Sequence, residues 1–347
     1  MRLNRKLEHI EFSLQQSPIE GAAGFNDITL VHNSLPELNW EEVDVSCQFL
    51  GKRLKMPLLI NAMTGGHPEL EKINRILAEA AAATGVALAV GSQRAALEDS
   101  TTRSSFAVVR EVNPEGVILA NLGADCTLAE AQEAIGMLRA DGIQLHVNAP
   151  QELAMAEGDR NFRGLLENIG LLTRELEVPV IVKEVGFGMS QESIRRLATV
   201  GVQHLDVGGA GGTDFIAIEQ ARSGRQEGLN WGIPTATSLL EGLHTSDDNV
   251  SLIASGGFKG ALDAIKALAL GATLVGMARP LLQIVVQGTT ADLVRYLTEF
   301  EHDLRRILLM LGAPNIAGLS KVPLVISGST YHWLKLRGIP VEHFARR

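Results

Sequence analysis

The chain is poor in cysteine, in aromatic residues and in long hydrophobic runs. Its 347 residues include two cysteines, Cys47 and Cys126, and aromatic residues make up 4% of the total. Two cysteines cannot form a four-cysteine metal site, and we interpret both as reduced thiols of a cytoplasmic protein. No apolar run approaches the roughly 20 residues needed to cross a membrane, and the charged start MRLNRKLEHIEFSLQQ does not resemble a secretory signal.

A basic net charge is also missing. The formal charge is −9, so the chain has no global positive field for nucleic acid or membrane, and we expect neither partner. An anionic substrate would need a local patch of basic residues instead. The 35 glycines, set against so few aromatics, favour tight loops between strands and helices over a β-sandwich.

Eight short apolar runs alternate with helix-like segments from residue 57 onward. The runs are 57–63, 86–91, 117–123, 143–148, 179–186, 204–209, 250–257 and 272–278, and the clearest helical segments are 68–85, 127–142, 190–201 and 260–272. Thr127 and Ser190 are expected N-caps, and Gly201 and Gly271 expected helix stops. Eight buried parallel strands predict an α/β fold of the (β/α)₈ TIM-barrel type. An open doubly wound sheet is less favoured, because no dinucleotide fingerprint opens the first helix.

The segments outside the runs predict the domain organisation. We expect a single domain spanning 1–347, with an N-terminal extension at 1–56, the barrel at 57–287 and a C-terminal helical extension at 288–347. The longest interruption, 208–235, follows the sixth strand and is rich in glycine. Long loops in compact domains are usually functional or disordered, so we predict a lid here.

Polar or glycine-rich residues follow all eight strands, at the end where barrel enzymes place their active sites. The loops after the last two strands contain Ser255–Gly257 and Met277–Ala278, whose backbone N–H groups could hold a phosphate. The alternative is that these glycines only make tight turns. Lys183, inside an apolar strand, needs an anionic partner such as a reduced flavin. A pair with Glu184 or a Schiff-base lysine are the alternatives.

Basic and acidic residues outside the strands allow two further hypotheses. Arg5, Lys6 and His9 form either a solvated terminus or, if the N-terminal segment folds over the barrel mouth, a diphosphate clamp together with Arg94. Glu152 follows the fourth strand, and its residue type fits either a Mg²⁺ ligand or a helix cap. The residues alone leave both alternatives open.

Nine segments, taken in order, resemble the type II isopentenyl diphosphate isomerases from about residue 4 to residue 280. They are RKLEH, FNDITLVHNSLPE, NAMTGG, VGSQRAAL, ANLGAD, QLHVNAPQE, PVIVKEVGFGMS, DVGGAGGTDFIAIE and ASGG…KALALGA…GMARP. The resemblance implies a barrel that interconverts isopentenyl and dimethylallyl diphosphate in isoprenoid biosynthesis. It also implies reduced FMN, with NADPH or NADH as reductant, Mg²⁺, and a homotetramer or homo-octamer.

The resemblance also implies a role for individual residues. FMN would contact Ala62, Met63, Thr64, Ser92, Asn121, Lys183 and Thr213, with its phosphate at Ser255, Gly256, Gly257, Met277 and Ala278. Substrate would contact Arg5, Lys6, His9, Arg94, His146, Asn148 and Gln151. Gln151, Lys183 and His146 would be catalytic, and Glu152 would bind Mg²⁺. A departure from some relatives is that Asp214 precedes Phe215 after the Gly-Gly-Thr run, so Phe215 is given no stacking role.

Other functions remain as alternatives. A flavin-dependent 2-hydroxy-acid oxidase would need a His and Arg pair after strands six and seven, and His244 with Lys259 does not match that pattern. An inosine-monophosphate dehydrogenase would need a cysteine in 208–235, which has none. A non-catalytic FMN-binding barrel would not need polar residues at every strand end.

Overall fold

A computed structural model describes residues 2–16, 21–224, 229–245 and 249–347, with only the backbone for residues 2–7. Within these ranges the strands are β1 (Ile28–Leu30), β2 (Cys47–Phe49), β3 (Lys52–Leu54), β4 (Leu58–Ile60), β5 (Ala87–Ala89), β6 (Ile118–Gly123), β7 (Gly142–Val147), β8 (Val180–Glu184), β9 (His204–Asp206), β10 (Ser251–Ser255), β11 (Leu274–Met277) and β12 (Leu324–Ile326). The α-helices are α1 (Arg2–Gln15), α2 (Glu71–Thr84), α3 (Arg94–Glu98), α4 (Ser104–Val112), α5 (Leu128–Leu138), α6 (Ala149–Ala154), α7 (Leu165–Glu175), α8 (Gln191–Thr199), α9 (Phe215–Arg222), α10 (Thr235–Thr245), α11 (Ala261–Leu270), α12 (Arg279–Gln287), α13 (Thr290–Leu311) and α14 (Gly328–Leu336).

Strands β4 to β11 form a closed barrel in chain order, and β11 pairs with β4 to close it. Every pair in the barrel is parallel, with Leu59 opposite Ala87 and Lys183 opposite Asp206 as examples of the register. The strands are buried on both faces because helices cover the outside and side chains fill the inside, which explains their continuous apolar runs. The predicted TIM barrel is confirmed.

Local capping explains where several of the surrounding helices begin and end. The Thr127 and Ser190 side chains accept hydrogen bonds from backbone N–H groups in the first turns of α5 and α8, as predicted. Helix α5 ends four residues earlier than predicted, because Arg139 takes a left-handed conformation with φ of 44°. No helix among the described residues is both long and apolar enough to span a membrane.

The two extensions meet on one side of the barrel. Strand β1 of the N-terminal extension pairs antiparallel with β12 of the C-terminal extension. Asp27 Oδ2, next to β1, also accepts a hydrogen bond of 2.8 Å from Thr330 N in the first turn of α14. The C-terminal extension is therefore not purely helical, because it supplies the strand that β1 needs.

The stretch 208–235 is more ordered than the lid hypothesis expected. It contains α9, and residues 225–228 lie outside the described part of the chain. Helix α1 is tied to the start of α9, because Gln16 Nε2 donates to Asp214 O at 2.7 Å and Asp214 N donates to Gln16 Oε1 at 3.1 Å. Arg279, at the start of α12, donates to Gln16 O. The N-terminal helix therefore lies across the barrel mouth.

The buried carboxylate of Glu241 joins three helices. It accepts hydrogen bonds from Trp333 Nε1 at 2.7 Å, Arg337 Nε at 3.0 Å and Gln191 N at 2.7 Å, which holds α14 against α8 and α10. Glu241→Ala removes the acceptor of three donors, so we expect the free energy of unfolding to fall by about 3 kcal/mol. Chemical denaturation measures it. Glu192→Ala, which removes the exposed partner of the same Arg337, should cost much less; equal losses would contradict this account.

Candidate active site

A cavity of about 1130 Å³ lies at the carboxyl ends of the barrel strands, roofed by α1 and α9. Sites for one drug-sized ligand usually measure roughly 300–1000 Å³, so this cavity has room for a cofactor and a small substrate together. Basic side chains of Arg94, Lys183, Arg222, Lys259 and Arg279 line it. Asp125, Glu152, Glu157 and Asp159 line it as well, so the acidic chain offers basic groups for an anion within a mixed lining.

Nearly all of the site residues named from the sequence come together at this cavity. Its lining includes His9, Ala62, Met63, Ser92, Arg94, Asn121, His146, Asn148, Gln151, Glu152, Lys183, Thr213, Ser255, Gly256, Gly257, Met277 and Ala278. Thr64 is the exception, because it is buried outside the lining and its hydroxyl donates to Asn74 Oδ1 at 2.5 Å. A side-chain contact from Thr64 to FMN is therefore not supported. Arg5 and Lys6 belong to α1, but their side chains lie outside the described residues.

The loops after β9 and β10 approach each other too closely for side chains. A Cβ atom on Gly256 would lie 2.1 Å from Gly209 O, and one on Gly257 would lie 2.6 Å from Gly211 O. Both glycines also have positive φ, of 108° and 75°. The backbone is thus exposed to the cavity in the way that a phosphate cradle requires.

Two groups beside these glycines would favour a phosphate. Helix α12 begins after Ala278, which makes no side-chain cap; Pro280 has no N–H and Leu281 N donates to Ala278 O, so the N–H of Arg279 is the first-turn donor that could serve an anion there. Lys259 and Arg279 line the same region, and burial lowers the pKa of Arg279. The residues present therefore fit the phosphate of FMN.

Lys183 extends toward the cavity from β8 and is nearly buried. Its Nζ donates to the backbone oxygen of Glu184 at 2.6 Å and lies 3.9 Å from Asp206 Oδ2. The Glu184 carboxylate lies on the other face of the strand and accepts from Phe187 N and Gly188 N. Burial raises the pKa of Glu184 to about 8. The alternative of a Lys183–Glu184 side-chain pair is therefore not what the structure contains.

Asp206 is a functional candidate that the sequence analysis missed. It ends β9, is completely buried, and accepts hydrogen bonds from Ser255 Oγ at 2.5 Å, Asn61 Nδ2 at 2.7 Å and Gly208 N at 3.2 Å. An acidic residue at the end of an apolar run was the available signal, because such a residue is rarely buried without donors around it.

Amide side chains continue from Asp206 across the floor of the barrel. Gln144 Nε2 donates to Asn61 Oδ1 at 3.0 Å, and Asn121 Nδ2 donates to Gln144 Oε1 at 3.0 Å. Asn121 Oδ1 lies 3.0 Å from His146 Nδ1. Gln144 was also missed, although it is a single glutamine in a buried strand. The floor is a continuous polar layer from β9 to β7; the five side chains Asp206, Asn61, Gln144, Asn121 and His146 are called the floor network below.

Glu219 of α9 forms a second buried acidic centre, in the roof. Its Oε1 accepts from His9 Nε2 at 2.8 Å and from Gln151 Nε2 at 3.2 Å, and its Oε2 pairs with Arg222 Nη1. Burial alone would raise the pKa of Glu219, but hydrogen bonds, led by that of His9, outweigh it and hold the pKa at about 2. No local pattern could predict this contact, since 210 residues separate His9 from Glu219. Phe215 packs edge-on against the His9 ring at 6.1 Å.

Glu152 lies in the first turn of α6 and borders the cavity. Its Oε1 accepts from Asn148 Nδ2 at 2.8 Å and its Oε2 accepts from Asp159 N at 3.0 Å. Among the described residues no group of three or more His, Cys, Asp or Glu side chains could hold a metal ion. Mg²⁺ often takes one or two carboxylates and completes its shell with substrate and water oxygens, which Glu152 alone could support.

Arg94 lies at the rim, between two acids. Its Nη1 donates to Glu130 Oε1 at 2.5 Å and its Nη2 to Asp125 Oδ2 at 3.0 Å. Glu130 is held in turn by the Thr127 capping box of α5. The helix cap therefore also fixes the guanidinium of Arg94 above the cavity.

Comparison with known proteins separates what is general in this site from what is specific. A model of the FMN-dependent dehydrogenase family matches residues 100–325. Among solved structures, a mandelate oxidase with an FMN adduct has a TM-score of 0.69 at 16% identity, covering 94% of this chain and 99% of the other. A putative lactate oxidase from Pediococcus acidilactici has a TM-score of 0.67 at 19% identity, covering 92% and 87%. At such identities these likenesses show the fold alone.

Sequence relatives are much closer. Isopentenyl-diphosphate delta-isomerase from Moorella thermoacetica is 49% identical, covering 97% of each chain. The proteins of the same name from Geobacillus sp. and Symbiobacterium thermophilum are 47% and 44% identical, each covering 100% of this chain and 99% of the relative. The family model and these relatives together lead to one conclusion: the chain belongs to the FMN-dependent, type II isopentenyl-diphosphate delta-isomerases.

Proposed function

We propose that the chain interconverts isopentenyl diphosphate and dimethylallyl diphosphate by a 1,3-allylic proton shift, using reduced FMN, Mg²⁺ and NADPH as the flavin reductant. One observation carries the proposal. A single cavity joins a glycine cradle for one phosphate to a separate rim set suited to a second anion, Arg94, His146, Asn148 and Glu152. The family relationship supports it, and the net reaction consumes no reductant.

The cofactor end of the cavity would hold FMN through backbone and side chains. Ser255–Gly257 and Met277–Ala278 would bind its phosphate, and Lys183 would place an ammonium group beside the ring. When bound and reduced, FMN supplies an electron-rich ring that can shelter cationic character and act as acid and base. Lys183 would stabilise the negative charge of that ring, and its own contact with Asp206 keeps it oriented.

The rim set would bind the substrate diphosphate. Arg94 offers a planar fork of donors, and Asn148 orients the Glu152 carboxylate that would share a Mg²⁺ ion with phosphate oxygens. Arg5 and Lys6 are proposed as further donors from α1. The hydrocarbon end of the substrate would then lie between the rim and the cofactor.

Gln151 is proposed to act at that hydrocarbon end. Its amide nitrogen donates to Glu219 and its oxygen accepts from Asn148 Nδ2 at 3.3 Å, so the side chain is held from both ends. An amide is a poor base, so Gln151 orients groups rather than taking up a proton itself. The roof of α1 and α9 would limit the access of water, which could quench a cationic centre.

An oxidase reaction is disfavoured by the position of one histidine. A 2-hydroxy-acid oxidase would need a His and Arg pair after the sixth and seventh strands, but His244 lies in the last turn of α10 and is not among the described residues that line the cavity, whose histidines, His9 and His146, come from other elements. Lys259 does line it, in the region assigned to phosphate. This arrangement supports an isomerase rather than an oxidase on the shared fold.

The decisive experiment separates isomerase, oxidoreductase and binding protein. The purified holoenzyme is checked for flavin absorbance, reduced, and given isopentenyl diphosphate with Mg²⁺. We expect dimethylallyl diphosphate to form without stoichiometric NADPH consumption. Consumption of one NADPH per product would point to an oxidoreductase, and flavin binding without turnover would point to a binding protein.

Glu152→Gln tests the metal assignment. The substitution keeps the size and can keep the hydrogen bond from Asn148, but it removes the charge and the acceptor for Asp159 N, so we expect the apparent affinity for Mg²⁺ to fall about 10- to 100-fold. Titration of activity with Mg²⁺ measures it. Asp159→Asn, a neighbouring carboxylate at the same cavity, is the matched control and should stay near wild type. Unchanged Mg²⁺ dependence in Glu152→Gln would remove Glu152 from the metal site.

Gln151→Asn tests the positioning role. Shortening the side chain by one methylene withdraws its amide from Glu219, and misplacement on the scale of 1 Å can cost about 100-fold in rate. We expect kcat to fall by about that factor while KM changes little, because the rim still binds the diphosphate. Steady-state kinetics give both values, and an unchanged kcat would exclude Gln151 from the mechanism.

A further inference from the structure

The hydrogen bonds of the floor network all run the same way: each amide nitrogen donates toward Asp206, and the last amide oxygen faces His146. We infer that Gln144, which does not line the cavity, is a positioning residue that holds neutral His146 with its proton on Nδ1. The inference uses the contacts Asp206–Asn61–Gln144–Asn121–His146, each between buried or partly buried side chains. It rests on the proposed function only in giving His146 a role toward substrate.

Two contacts of Asn61 fix the orientation of the first amide. An ionised carboxylate only accepts hydrogen bonds, so the Asn61 atom 2.7 Å from Asp206 is its amide nitrogen. The backbone N–H of Ala62 can only donate, and it lies 2.9 Å from the other Asn61 atom, which must therefore be the oxygen. Asn61 cannot be turned over without losing both contacts.

The orientation of each amide group then determines the orientation of the next one. Asn61 Oδ1 needs a donor, so the Gln144 atom 3.0 Å away is its nitrogen and the Gln144 oxygen faces Asn121. Asn121 must present its nitrogen to that oxygen, and its own oxygen is left facing His146 Nδ1 at 3.0 Å. A carbonyl oxygen cannot donate, so Nδ1 carries the proton.

The tautomer decides what His146 can do at the cavity. With the proton on Nδ1, the neutral ring is an acceptor at Nε2, and it donates there only after taking up a second proton as imidazolium. A diphosphate oxygen needs a donor. Gln144 thus ties recognition of the anion by His146 to a proton that arrives at Nε2, and prevents the neutral ring from donating at that atom.

Two variants of Gln144 with the same side-chain length separate the effect of its hydrogen bonds from the effect of its packing. Gln144→Met keeps the length but removes both polar atoms, so the Asn121 amide is free to turn and donate to Nδ1. Gln144→Glu has the same length and can still accept from Asn121, whether its carboxyl is ionised or protonated. Loss of the Nδ1 proton is therefore expected in the first variant and not in the second.

The measurement is the ¹⁵N spectrum of histidine-labelled holoenzyme without substrate, at a pH of about 8.5, well above the ordinary histidine pKa of about 6.5. His146→Asn identifies the His146 signals among the nine histidines. His204, at the other end of the barrel with its Nδ1 2.8 Å from Ser251 Oγ, serves as an internal reference for an intact fold.

We expect wild type and Gln144→Glu to show His146 protonated at Nδ1 only, and Gln144→Met to shift signal from that form to the Nε2 form while His204 is unchanged. A wild-type proton on Nε2, an imidazolium at this pH, or an unchanged Nδ1 proton in Gln144→Met would each overturn the inference. Because no substrate is present, failure of the isomerase assay leaves this result intact, and the reverse also holds.

Discussion

The active site is organised around a carboxylate buried where no water reaches it. Moving an unpaired carboxylate out of water costs several kcal/mol, so Asp206 must be surrounded by donors. Asn61 and Ser255 fill that role, with the Lys183 ammonium 3.9 Å away. The polar ends of β4, β8 and β10 follow from this one requirement, and the amides that continue to β7 follow from satisfying Asn61 in turn.

The roof repeats the arrangement of the floor with different elements. Glu219 is buried as deeply as most of the barrel and collects donors from α1 and α6, so the N-terminal helix and the reacting-end glutamine depend on the same carboxylate. The two acidic centres lie on either side of the cavity, while cations line its walls. A protein with net charge −9 can in this way place basic side chains around a cavity for an anion.

Much of this could be predicted from the sequence, for a physical reason. Strands buried on both faces must be apolar, so the eight apolar runs predicted the barrel. In a barrel the carboxyl ends of all strands lie at one site. Asp206, Gln144 and Glu219 were missed because their roles depend on partners far away in the chain. The orientation of the Thr64 hydroxyl could not be predicted either, because its partner, Asn74, lies on the following helix α2. The pairing of β12 with β1 had no local signal either.

The amide side chains of the floor suit an isomerase, whereas the barrel fold is shared with FMN oxidases and does not distinguish the two activities. Asparagine and glutamine side chains fix orientation without gaining or losing protons at any ordinary pH, so the three amides of the floor network cannot draw protons away from the reaction. Within the floor network, the titratable side chains are Asp206 and His146, one at each end. An allylic shift needs one proton delivered at one carbon and one removed at another, with no further proton transfer. Separating Asp206 from His146 by three amides is what the floor contributes.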